Sequence, residues 1–255
     1  MTLTNGDPLL DRIDALSGWF ATTPGASNGG RVVGTDDPDR LGWDVIERHL
    51  REDGVVTFRH VPVSAVDDIA ARVAAWGFTL HSWRVFHGAA AAIPTRRRPA
   101  PPQAGHVIAV ETRPPDATVS EAMAFLRAHG IRPFTARILA GRSGPSVLAT
   151  ARSAEGALAA VAFGHFCFNA HSLWHGTAWC GLVAVNPAAR KAGLGRAVND
   201  AVVDAMIARH GAAAVVEYAA EDNLPSRRMI EGSGLVLRDD VVSCAATAGA
   251  TRFTR

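Results

Sequence analysis

The residues best suited to chemistry lie in the run Val183-Ala-Val-Asn-Pro-Ala-Ala-Arg-Lys-Ala-Gly-Leu-Gly-Arg196. It reads as a short apolar strand, a turn at Asn186-Pro187, and a basic loop Arg190-x-x-Gly193-x-Gly195 that opens a long helix. Glycines leave backbone N–H groups uncovered, and the helix behind them adds the positive end of its dipole. That combination holds an anion, and a pyrophosphate in particular. The loop lacks the third glycine of a dinucleotide fingerprint and the Gly-Lys-Ser/Thr of a P-loop, which sets both aside.

Further on, Glu221-Asp-Asn223-Leu-Pro-Ser226-Arg-Arg-Met229-Ile-Glu-Gly-Ser-Gly234-Leu235 follows a strand that should lie beside the first. The two segments together resemble the GCN5-related N-acetyltransferase (GNAT) superfamily. Its first motif reads V-x-P-x-x-R/Q-x-x-G-x-G/A, matched here by Val185, Pro187, Arg190, Gly193 and Gly195. Its second reads N-x-x-S/A-x-x-L-Y-x-x-x-G-F, matched by Asn223, Ser226, Met229, Gly234 and Leu235 with conservative changes at the last positions.

The resemblance implies an α/β fold with a mixed sheet, in which two parallel strands splay and the pantetheine arm of acetyl-CoA, or another acyl-CoA, enters the gap. It implies that the backbone of Val183 and Val185 bonds the pantetheine amides. The amides of Lys191, Ala192, Gly193, Leu194, Gly195 and Arg196 then cradle the pyrophosphate, with Asn223 and Ser226 on the other side. Arg190 and Arg196 are placed to add charge, although Arg196 fits equally well as a solvated side chain at a helix start.

Transfer to an amine needs a base for the ammonium proton and gains from an acid for the leaving thiolate. The family's tyrosine acid falls at Ile230, which has no proton to give. Ser226 and Tyr218, the sole tyrosine of the chain, are the substitutes, Tyr218 also reading as ordinary sheet packing. The strand Thr177–Val185 carries no carboxylate, so the base candidates are His175, His171 and Glu217, with His175 first because a histidine titrates near neutrality. Cys180 reads as a small core residue. No metal site is indicated.

These residues need elements to hold them. The chain has 255 residues, 48% hydrophobic, enough for a large core, and a formal charge of +2, which gives no nucleic-acid footprint. Three widely spaced cysteines suit a reducing cytoplasm. No signal peptide or membrane span is read. The proline- and arginine-rich stretch 93–105 is expected to be a linker between residues 1–92 and 106–255.

In the first part, helices are expected over Asp39–Arg51, ending at Gly54, and from a capping box at Ser64–Asp67, with strands at Val55–His60 and Ser82–Phe86. This order more faintly resembles the later part of the same fold, Gly77-Phe78 corresponding to Gly234-Leu235. Asp36-Asp-Pro-Asp39 stands where a glycine loop would be, and its charge repels a pyrophosphate, so this half is expected to be a degenerate partner domain. Asn28-Gly-Gly30 and Trp19 are candidates to shape a shared cleft. In the second part, Ser120 is expected to cap a helix through Ala128. A hairpin, Ser146–Ala151 with Ala157–Phe168, then leads to the strand Thr177–Val185. The long helix Gly193–His210, a strand Ala212–Tyr218, a short helix Ser226–Gly232 and one or two closing strands in Leu235–Thr247 follow.

The expectation is thus a cytoplasmic tandem GNAT-like protein that moves an acetyl group from acetyl-CoA to a small-molecule or amino-acid-like amine, working as a monomer or homodimer. The alternative is a non-catalytic CoA-binding or sensing module.

Overall fold

Residues 3–99 and 105–249 are described by the structure, a computed structural model. The first half runs α1 (Pro8–Ala15), α2 (Ser17–Thr22), β1 (Ala26–Asn28), β2 (Val33–Thr35), α3 (Pro38–Leu41), α4 (Trp43–Asp53), β3 (Val55–Pro62), α5 (Val66–Ala75), β4 (Phe78–Ala89) and α6 (Ile93–Arg96). The second runs β5 (His106–Glu111), α7 (Asp116–Ala128), α8 (Ala136–Leu139), β6 (Ser146–Ser153), β7 (Leu158–Phe166), β8 (Thr177–Val185), α9 (Leu194–His210), β9 (Ala214–Ala219), α10 (Leu224–Gly232) and β10 (Val236–Ala248).

Local sequence accounts for most boundaries. Gly54 ends α4 in the left-handed conformation, its N–H bonding Leu50 O at 2.8 Å. The single helix expected over Asp39–Arg51 is instead two, broken at Gly42. Ser64 does not form a capping box: a 3-10 turn, Val63–Ala65, leads into α5 without a side-chain cap. Ser120 likewise lies inside α7, which starts at Asp116 behind Pro115. The closing segment is one 13-residue strand, β10.

All the strands join one ten-stranded sheet in the order β1-β2-β3-β10-β4-β9-β8-β7-β6-β5. From the antiparallel pair β10–β4 outward, the order is β9 then β8 on one side and β3 then β2 on the other. The β8–β9 and β2–β3 pairs are both parallel. The units β3-α5-β4 and β9-α10-β10 therefore occupy matching positions about the centre, and each half's last strand crosses into the other's territory. Val242, Cys244 and Ala246 of β10 pack in the first half's core with Ile46, Leu50 and Phe58, while Phe86 of β4 packs in the second half's core. Burying a Val or Phe side chain stabilises by about 1.5–3 kcal/mol, which ties the halves together.

Helices α9 and α10 cover one face of the second half through Val198, Val202, Met206 and Ile230. Helices α7 and α8 cover the other through Met123, Leu126 and Leu139. The basic stretch after β4 is not merely solvated. Ile93 is buried in the core, Arg97 pairs with Asp204 at 2.7 Å, and Arg98 N–H bonds Gly232 O at 3.0 Å. The expected linker reaches into residues 100–104, which lie outside the described residues.

Candidate active site

The site begins where two parallel strands part. β8 and β9 pair only from Thr177↔Ala214 to Trp179↔Val216. Beyond that, β8 stays on β7 as far as Val185↔Ala160, and β9 stays on β4 as far as Ala219↔Arg84. A bulge starts the separation: Leu182 has φ 51, and the register on β7 jumps between Val161 and Phe163. Asn186 turns its N–H to Ala159 O on β7 at 2.8 Å. Since successive peptide groups of a strand point to opposite sides, Val185 and Val183 face the gap. An open strand edge of this kind accepts an extended, amide-bearing ligand.

The gap leads to the N-terminus of α9. Asn186 Oδ1 accepts from Ala188 N–H at 3.0 Å, Lys191 turns with φ 66, and Gly193 takes φ 74 as N-cap. No side chain caps this helix and no acidic residue sits in its first turn. The N–H of Ala197 bonds Gly193 O at 3.0 Å, and the N–H groups before it are those that a helix leaves without intrahelical acceptors. Two other helix starts, those of α10 and α3, are closed by side chains. Asn223 Oδ1 caps α10 by accepting from Ser226 N–H at 3.2 Å, and Asp37 Oδ1 caps α3 by accepting from Arg40 N–H at 3.1 Å. The start of α9 thus fits a pyrophosphate, and the corresponding approach in the first half does not.

Arg190 lines the cavity that opens here. Arg196 is used differently: Nε donates to Asp200 at 2.7 Å and Nη2 to Arg98 O at 2.8 Å, so its charge braces α9 and the stretch after β4.

A cavity of about 370 Å³ runs through the gap. On the α9–α10 side it is lined by Asn223, Ser226, Met229 and Ile230, and in the gap by Gly181, Val183 and Glu217. Glu217 is 1% exposed, and Oε1 accepts from Asn199 Nδ2 at 2.8 Å. Asn199 also donates to Ser233 Oγ at 3.1 Å, and Ser233 donates to Met229 O at 3.2 Å. Burial pushes the Glu217 carboxyl up to about 8, the Asn199 bond offsetting this only in part. The side chain therefore keeps its proton at neutral pH.

On the opposite side, Trp179, Phe134 and Tyr218 form an aromatic wall. Tyr218 Oη lies 2.8 Å from His60 Nε2. Burial raises the hydroxyl above its ordinary value and lowers His60 to about 3, with the Arg59 charge acting further on His60. The pair is neutral, with the tyrosine O–H donating to the imidazole. Gly181 gives Trp179 its place, since a Cβ there would stand 2.6 Å from the indole ring. Gly181→Ala is expected to cost about 1–3 kcal/mol of stability through this overlap, measured by urea unfolding; an unchanged midpoint would mean the indole moves freely.

The structure brings Glu217, Tyr218, Ser226, Asn223, Val183 and Arg190 to one cavity. It does not bring His175, the preferred base in the sequence, which is exposed on the loop before β8 and not among the cavity's residues. His171 is exposed on the same loop and offers its carbonyl to Arg40. Cys180 reaches the cavity, but burial holds its thiol well above the usual range, so it supplies no thiolate. Trp19 packs in the first half's core, whereas Gly29 does border the cavity. Sequence reasoning missed Arg31, Arg59 and Phe134, which come from segments distant in sequence and carry no motif. Among the described residues no cluster of His, Cys, Asp or Glu could hold a metal, and no helix is long and apolar enough to cross a membrane.

Residues 117–234 match the model of the acetyltransferase (GNAT) family. The matched part contains the splayed strands and the glycine loop, so residues 117–234 carry a GNAT domain. A GCN5-related N-acetyltransferase from Kribbella flavida is 13% identical, with 96% of this chain and 97% of that one covered at a TM-score of 0.58. A tandem GNAT protein from the clavulanic acid biosynthesis pathway is 17% identical, with 94% and 89% covered at a TM-score of 0.56. At these identities the likeness is one of fold. No curated protein matches the sequence.

Proposed function

We propose that this chain is a cytoplasmic N-acyltransferase that moves an acyl group, acetyl in the simplest case, from acyl-CoA to the amine of a small acceptor. One observation carries the reading: the gap between β8 and β9 has an uncapped helix start at one end and a buried carboxyl, Glu217, on its wall. In this reading the backbone of Val183 and Val185 binds the pantetheine arm. The amides from Lys191 to Arg196 bind the pyrophosphate, Arg190 adds charge, and Asn223 and Ser226 flank the arm. Acyl-CoA supplies an activated thioester carbon. Glu217 is the base: its ionised form, a minor fraction at neutral pH that grows towards pH 8, accepts the ammonium proton. Its pKa near 8 is close to the ~8.5 of a free thiol, so the proton it takes can be passed on with little cost. Tyr218, its O–H held by His60, closes the aromatic wall beside the acceptor.

Calorimetric titration with acetyl-CoA is expected to give micromolar affinity, and Arg190→Glu to weaken it at least about tenfold by reversing a phosphate contact. No binding of any acyl-CoA would end the proposal, and unchanged affinity in the variant would remove Arg190 from the site. Ile230, buried where the family has its tyrosine, favours the second reading, a CoA-binding or sensing module without turnover. Thiol release across a set of amines separates the two.

A further inference from the structure

Most half-buried arginines of this chain have a carboxylate. Arg12 pairs with Asp53 at 2.9 Å, Arg97 with Asp204 at 2.7 Å, and Arg196 with Asp200 at 2.7 Å. Arg59 is only 8% exposed and enters none of the ion pairs found among the described residues. Its guanidinium carbon lies 5.0 Å over the Tyr218 ring, and its Nε is a buried donor with no hydrogen-bond partner. Neither Asp36, whose Oδ2 accepts from Ser172, nor Glu217, which accepts from Asn199, pairs with Arg59. A guanidinium buried without a counter-charge is costly, and such groups are normally paired.

Position gives this orphan charge a purpose. Arg59 sits at a bulge of β3, where the register on β10 jumps between Val242 and Cys244 and His60 has φ 53. Bulges re-aim side chains beside sites, and Arg59 lines the cavity together with Trp179 and Tyr218. Arg31 lines it too, 5.6 Å from the Phe134 ring centroid, with Nη1 donating to Arg132 O. Burial and the Arg59 charge pull Arg31 down to about 9, so the two cations share one poorly solvated space. Both come from the half that has no glycine loop.

We propose that the acceptor is an amino acid, and that its carboxylate is held by Arg59, with Arg31 beside it, on the aromatic side of the cavity. This rests on the acyltransferase reading and narrows its acceptor to amines that carry a carboxylate. A carboxylate supplies the missing counter-charge and accepts two parallel N–H bonds from a guanidinium. The first half thereby sets acceptor specificity, while the second half holds the acyl donor.

The test is calorimetric titration of the full chain, with and without CoA, with N-acetyl-L-alanine and N-acetyl-L-phenylalanine against their primary amides. The acids are expected to bind at least about tenfold tighter, as for other charge-assisted contacts, and Arg59→Gln to abolish that preference while still binding CoA. Equal affinity for acids and amides, no binding of either, or a preference that survives Arg59→Gln overturns the inference. Should the variant not fold, the comparison on the unaltered chain decides alone. A chain that binds CoA but shows no preference for acids loses this inference only. A chain that prefers the acids but binds no acyl-CoA loses the acyltransferase reading instead.

Discussion

Glu217→Gln is expected to lower kcat for thiol release by about 10²–10⁴, the usual contribution of a positioned general base. Glutamine keeps the shape and still bonds Asn199, so acyl-CoA affinity should hold. In the parent chain the carboxyl must be ionised to accept a proton, and burial keeps it protonated up to about 8. The rate should therefore climb about tenfold per pH unit on the acid side and level off above about 8. The same substitution has an opposite effect on stability. Glu217 titrates at about 8 in the fold against 4.5 for an ordinary glutamate, so the folded chain retains a proton that the unfolded chain releases between these values. Its contribution is full below pH 4.5 and is lost as pH rises to about 8, for a total on the order of 5 kcal/mol. Above that pH, Glu217→Gln should be the more stable protein by a few kcal/mol, as seen by denaturant unfolding at both ends of the range. A variant that is slower and no more stable at high pH would mean that Glu217 is an ordinary surface-like carboxylate.

Gly193→Val has the second large effect. Gly193 caps α9 at φ 74, where a β-branched residue is strained by about 1–2 kcal/mol. The strain falls on the peptide groups that face the gap's end, so the amides from Lys191 to Arg196 lose their convergence. Acetyl-CoA affinity should drop about 10- to 100-fold, equivalent to about 1.4–2.8 kcal/mol, while the melting temperature moves little because Val198, Val202 and Met206 still anchor the helix. Equal affinity in calorimetry would show that the loop does not touch the ligand.

What could be read in the sequence follows a physical division. The segment Thr177–Val185 was expected as a strand and is one, residue for residue, because its apolar run is bounded by Gly176 and Asn186. The loop and α10 were legible because glycine, proline and asparagine at fixed spacing describe backbone geometry directly. The helix–strand order of the first half and the turn at Gly77 are legible in the sequence, yet the strand exchange is not. Nothing local distinguishes a β10 that pairs with β3 from one that pairs with its own half, since pairing depends on sequence-distant partners. The same reason hid Arg59 and Arg31, which acquire meaning only once β3 stands beside β10 and Phe134 beside Gly30. His175 was preferred over Glu217 because histidine titrates near neutrality by nature, whereas a glutamate does so only when buried. Burial of Glu217 against Asn199 is a tertiary fact.

The central claim is that the parted edge of β8 and the start of α9 are where acyl-CoA binds. Amide hydrogen exchange at residue resolution, with and without acetyl-CoA, tests it most directly. Protection is expected at Val183, Val185 and the amides from Lys191 to Arg196, with the matching approach at Asp36–Asp39 unchanged. Exchange at those amides that is indifferent to acetyl-CoA, or protection confined to the first half, would contradict it.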